Sequence, residues 1–105
     1  MTFWLPSVLK RLRALAAAQD VWFTLKARRE MALLGLDELD ALEVLTSLTQ
    51  KDSAGRLRSE HSGEWLFVFT PTLGKLALYV KVALRTSCIV VSFHEEAGRD
   101  IDEED

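Results

Sequence analysis

Hydrophobic and polar positions change rhythm once along this chain, near residue 63. Before that point the apolar residues recur at helical spacing. Val8, Leu9, Leu12, Leu15 and Ala16 form one stripe, with Lys10, Arg11 and Arg13 off it, and Pro6 and Ser7 mark the start. Residues 21–25 (VWFTL) are rich in aromatic and β-branched types and predict a short strand. Residues 26–34 (KARREMALL) are strong helix formers and stop at Gly35. Asp37 is placed to cap a further helix, in which Leu39, Leu42, Leu45 and Leu48 recur and which ends near Thr49. Residues 50–63 (QKDSAGRLRSEHSG) read as a polar loop carrying Arg56, Arg58, Glu60 and His61.

After residue 63 the pattern becomes strand-like. Residues 64–70, 76–84 and 88–94 predict three strands, separated by 71–75 and 85–87. Helices first and strands later predict an α+β fold, with N-terminal helices packed on a small C-terminal antiparallel sheet.

Alternation assigns faces. In LALYVKVAL the residues Leu76, Leu78, Val80, Val82 and Leu84 share one face, and Tyr79 and Lys81 share the other. In CIVVSFH the aliphatic face is read as Ile89, Val91 and Phe93, leaving Cys88, Val90, Ser92 and His94 opposite. A two-residue turn at Arg85-Thr86 sets Leu84 against Ser87, Tyr79 against Ser92 and Lys81 against Val90. His94 then lies diagonal to Tyr79. The expected polar group is Tyr79, Lys81, Ser92 and His94. The plain alternative is that this is the solvated face of an antiparallel sheet. Trp65, Phe67 and Phe69 share a face and read as core, not as a platform for stacking bases.

Composition narrows the classes. The chain has 105 residues, 49% of them hydrophobic and 28% charged, which suits one globular domain over residues 1–96. The N-terminus does not read as a signal peptide, because basic residues interrupt its apolar positions. No apolar run approaches the roughly 20 residues needed to cross a bilayer. The single cysteine, Cys88, excludes an internal disulfide, so a cytoplasmic location is the expectation. Net charge is −3, but seven of the 16 acids and one of the 13 bases lie from Glu95 onward. Residues 97–105 are expected to form a mobile acidic tail, and the body before Glu95, with 12 bases and 9 acids, is mildly basic. A basic body permits RNA binding. Cys88, His61 and His94 lack metal-ligand spacing, and no Gly-rich phosphate loop or nucleophile elbow is present. No metal or cofactor is expected.

A series of short matches then appears in order. Leu34-Gly35-Leu36 precedes a helix, Leu48-Thr49-Gln50-Lys51-Asp52 closes it, and Glu64-Trp65 opens a strand. Val68-Phe69-Thr70-Pro71, Tyr79-Val80-Lys81 and Val90-Val91-Ser92-Phe93 follow, the last with a polar residue and Glu95 behind it. From about Gly35 to Glu95 the chain resembles the MqsR family, ribonuclease toxins of bacterial type II toxin–antitoxin pairs. The resemblance implies a RelE-like fold and sequence-preferring cleavage of mRNA without a metal. It also implies a bacterial cytoplasmic setting and a cognate antitoxin with zinc-binding and helix-turn-helix parts. Tyr79 matches a tyrosine of the family's active site. His94 stands where the best-known member has a catalytic lysine, Leu66 where it has a glutamine, and Ala54-Gly55 where it has an aromatic residue and a lysine. Arg56 or Arg58 is the candidate replacement for that charge.

The expected roles follow from the chemistry of RNA cleavage. His94 serves as general acid or base, with Tyr79 as phosphate donor or proton-transfer partner. Lys81, Arg56 and Arg58 hold the phosphate, and His61 is a second proton-transfer candidate. The competing reading is a weakly active or inactive interaction module that binds an antitoxin-like partner.

Overall fold

The computed structural model describes residues 2–96. The segment 97–105, expected to be a mobile acidic tail, lies outside the described residues. The chain runs α1 (Leu5–Ala17), β1 (Val21–Phe23), α2 (Leu25–Leu33) and α3 (Glu38–Thr46). A 3-10 turn (Gln50–Asp52) leads to β2 (Ser53–Arg58), β3 (Trp65–Phe69), β4 (Thr72–Leu73), β5 (Leu76–Leu84) and β6 (Cys88–Glu95).

Local chemistry explains the helix ends. In α1, Leu5, Leu9, Leu12 and Ala16 are buried at a four-three-four spacing. The helix closes with the Asp20 N–H donating to the Leu15 carbonyl and the Gln19 N–H to that of Ala16. In α2 the Thr24 hydroxyl accepts from the Ala27 N–H. Its far end turns through Gly35 at φ 73, where a side chain would be strained. Asp37 and Asp40 form a reciprocal capping box on α3, which holds the Asp37 carboxyl below its ordinary pKa through the Asp40 backbone N–H.

The sheet order is β1-β6-β5-β3-β2, with β4 paired to β5. The C-terminal strands pair antiparallel, as expected, while β1 adds to the β6 edge in parallel and makes the sheet mixed. This α+β arrangement is consistent with a RelE-like toxin fold. Helices α1 and α3 cover one face. Leu9, Leu12, Leu45 and Leu48 meet Phe67, Phe69, Leu78, Val80, Val82, Val90 and Phe93 there. Each such side chain contributes about 1.5–3 kcal/mol when fully buried.

Two expectations are corrected. Residues 53–58, read as part of a loop, form the outer strand β2. Its alternation is masked because Arg56 and Arg58 occupy the helix-side face, where apolar residues would have signalled a strand. The β5–β6 register also differs. Leu84 pairs with Cys88, Val82 with Val90, and then Lys81 with Ser92, so Val91 is an extra residue in a β-bulge. The buried residues of β6 are therefore Cys88 and Val90, followed by Ser92 and Phe93, and not Ile89 or Val91. A tight two-residue hairpin needs positive φ in its turn, and Arg85 and Thr86 do not adopt it.

Candidate active site

The bulge alters the polar face of β5 and β6. Tyr79 and His94 are directly opposed, where alternation alone had made them diagonal. Their rings stack with centroids 4.8 Å apart and planes 13° from parallel. Both are half-buried, as is Lys81, which lies two residues along the same face of β5. Lys81 is flanked by Ser92 on β6 and by Val68 on β3. The site face thus gathers Tyr79, Lys81, Ser92 and His94, the four residues that alternation had grouped.

One nitrogen of His94 has a defined role. Nδ1 lies 2.9 Å from the Glu95 carbonyl oxygen. A carbonyl only accepts, so Nδ1 carries the hydrogen here. Nε2 is then the nitrogen whose protonation changes between the neutral and charged ring.

Helix α2 packs along the β6 edge of this face. β1 covers the β6 edge only from Cys88 to Val90. Beyond it, the Thr24 hydroxyl donates to the Val91 carbonyl at 3.1 Å, and Lys26 Nζ donates to Ser92 Oγ at 2.8 Å. The Phe93 N–H donates to the buried Glu30 carboxylate at 2.8 Å, and Glu30 also pairs with Lys26 at 3.1 Å. Side chains thus take over the strand's edge where β1 ends. Neither Lys26 nor Glu30 was singled out from the sequence. Their four-residue spacing is visible there, but its direction toward β6 is not.

The arginines stand elsewhere. Arg56 pairs with Phe67, which pairs with Val82, so Arg56 belongs to the helix-side face. Arg58 shares that face opposite Trp65. The guanidinium of Arg56 lies 3.8 Å from the centre of the Trp65 ring and 4.9 Å from that of Trp4, and Arg58 lies 4.2 Å from that of Trp65. Strand alternation therefore separates both arginines from Tyr79, Lys81 and His94. His61 sits on the exposed β2–β3 turn, beside Ser59. That turn is level with Leu84, and Tyr79 is five residues further along β5, about 17 Å away at strand spacing.

Gly55 faces the site side, in register with Val68 and beyond it Lys81. Its φ is 103, a backbone conformation in which any side chain is strained. The β2 strand therefore offers no side chain to the site at this position. A concavity lined by Glu43, Val44, Ser47, Asp52, Pro71, Thr72 and Leu73 holds two carboxylates and, among the described residues, no cation, which is poor chemistry for a phosphate. Among the described residues, no three His, Cys, Asp or Glu side chains converge to hold a metal, and no helix is long and apolar enough to cross a membrane.

Comparison with curated proteins returned no match. A family model does match, over residues 6–95, from α1 through β6 and with every residue of the Tyr79–His94 face included. Its description is motility quorum-sensing regulator, toxin of MqsA. With so much of the chain covered, this protein belongs to the MqsR family, the toxins of toxin–antitoxin pairs.

Proposed function

We propose that this toxin is a metal-independent endoribonuclease that cleaves mRNA and thereby arrests translation and growth. The observation that carries the reading is the stacked Tyr79–His94 pair with Lys81 on the same face. In such cleavage the ribose 2′-oxygen attacks the adjacent phosphorus and the 5′-oxygen leaves. A 2′,3′-cyclic phosphate and a 5′-hydroxyl result. His94 Nε2 exchanges the proton, as base toward the 2′-hydroxyl or acid toward the 5′-oxygen. Tyr79 donates to the phosphate or serves as the partner in proton transfer. Lys81 neutralises charge on the crowded phosphorane. An antitoxin with zinc-binding and helix-turn-helix parts is the expected partner.

The test is an RNA cleavage assay with chelator present. Wild-type protein should release fragments with 5′-hydroxyl ends. His94→Ala and Tyr79→Phe should each slow cleavage by about 100-fold or more, in the range of lost acid–base catalysis. Undiminished cleavage by both variants would remove these residues from the mechanism.

One observation favours a second reading. The family's lysine position is occupied by Gly55, whose backbone disfavours a side chain. On that reading the chain is a binding module that occupies an antitoxin without cutting RNA. Expression in a bacterial host separates the two. Growth arrest with mRNA loss supports the nuclease, and unimpaired growth with antitoxin binding supports the module.

A further inference from the structure

The site face leaves Trp4, Arg56, Trp65 and Arg58 without a role. They form a continuous ladder on the other side of the sheet. Trp4, at the start of α1, lies against Phe67 with ring centres 5.5 Å apart. Arg56 sits between the Trp4 and Trp65 rings, and Arg58 lies over Trp65 as well. Both tryptophans are partly buried and both arginines are exposed. β2 is the outermost strand, so the ladder runs along an edge of the molecule.

The charge balance there is one-sided. Glu64, the carboxylate beside Trp65 in sequence, is bound by Arg85 through two hydrogen bonds of 3.1 and 2.6 Å. Among the described residues, no carboxylate forms an ion pair with Arg56 or Arg58. Arg58 gives one N–H to the Gly63 carbonyl at 2.7 Å, which leaves four of its five donors. A guanidinium held over an indole by its charge still has N–H donors with which to meet phosphate oxygens. The face of Arg58 turned away from Trp65 is itself a stacking surface for a nucleobase. Two fixed cations interleaved with aromatic rings suit a flexible polyanion that carries planar groups. An acidic peptide would match the charge but leave the stacking geometry unused.

We propose that the Trp4–Arg56–Trp65–Arg58 ladder is a second RNA-contacting surface, binding a single-stranded segment on the opposite side of the sheet from the Tyr79–His94 face. The proposal rests on RNA being the substrate. It adds a docking surface that the cleavage chemistry does not require. An RNA strand passing around the β2 edge would meet both faces, and Gly55 leaves that edge uncluttered on the site side.

The test uses a dye-labelled single-stranded 2′-O-methyl RNA of about 12 nucleotides, within the site sizes of single-strand-binding surfaces. The probe lacks a free 2′-hydroxyl and cannot be cleaved, so the outcome is independent of whether the Tyr79–His94 face is catalytic. Binding is read by fluorescence anisotropy across salt concentrations, with tryptophan emission recorded in parallel. Wild-type protein should bind with quenching of tryptophan emission. Arg56→Ala/Arg58→Ala should bind at least tenfold more weakly. The slope of its log affinity against log salt should flatten by about 0.7 for each phosphate that is no longer neutralised. Arg56→Lys/Arg58→Lys keeps the charge and long stems, and serves if the alanine pair misfolds. It should keep the wild-type salt slope but bind several-fold more weakly, because an ammonium cannot stack as a guanidinium does. Wild-type affinity in a folded alanine or lysine pair would overturn the proposal. So would polyglutamate competing as well as unlabelled RNA, which would make the ladder a general site for acidic chains.

Discussion

His94 shows how much a single inserted residue decides. The extra residue Val91 shifts the register by one, so His94 faces Tyr79 squarely and its ring stacks at 4.8 Å. With the same turn and no bulge, Tyr79 would pair with Phe93, and His94 would lie opposite Leu78 on the helix-side face. Cys88 shows the opposite outcome for a reactive residue type. Burial first, and the nearby Asp20 carboxylate second, push its thiol up to about 12, so it is not a nucleophile at neutral pH. A thiol-reactive aromatic disulfide at mildly alkaline pH should leave the folded protein unlabelled. In denaturant it should label the chain stoichiometrically at its one cysteine. Rapid labelling of the folded protein would contradict the burial of this residue.

At the scale of elements, the β6 edge is the exposed weakness of the site. β1 is short, and α2 supplies the missing partners through Thr24, Lys26 and Glu30. Glu30 matters most, because it accepts from a buried backbone N–H that has no strand beside it. Glu30→Gln keeps an acceptor for Phe93, whereas Glu30→Met of similar length does not. Urea denaturation should show the methionine variant about 1–3 kcal/mol less stable than the glutamine variant, the cost of an orphaned buried donor. Equal stabilities would mean that water or a shift of α2 replaces the bond. The sequence made the helix and the strand legible through their periods, and Gly35 and Asp37 marked the boundary between α2 and α3. It did not make β2 legible. Residues 53–58 place two arginines where a strand's inward face would be apolar, and only the tryptophans beneath them make that face favourable.

For the whole molecule, the Glu64–Arg85 pair ties the start of β3 to the β5–β6 turn. Arg11 of α1 extends this tie by donating to the Arg85 carbonyl. Hydrogen bonds from Arg85, supported by Ser62, hold the Glu64 carboxyl below its ordinary range. A carboxyl lowered on folding contributes stability above its unfolded pKa and loses it as pH falls through the folded value. Glu64→Gln should therefore melt slightly lower than wild type near neutral pH, and the difference should close under acid. A gap that persisted in acid would assign the effect to packing. Sequence alone determined the α+β class, because helical and two-residue periods are properties of neighbouring positions. It also placed Tyr79 and Lys81 on one face of β5, because alternation within a strand needs no partner, whereas the faces of β6 change at the bulge. Only the tertiary structure decided the register, since a bulge and a three-residue turn are settled by which side chains the helices must cover. The same long-range packing separated Arg56 and Arg58 from the histidine and set them on the opposite side of the sheet. Proximity in sequence to a site says little once a strand has two faces.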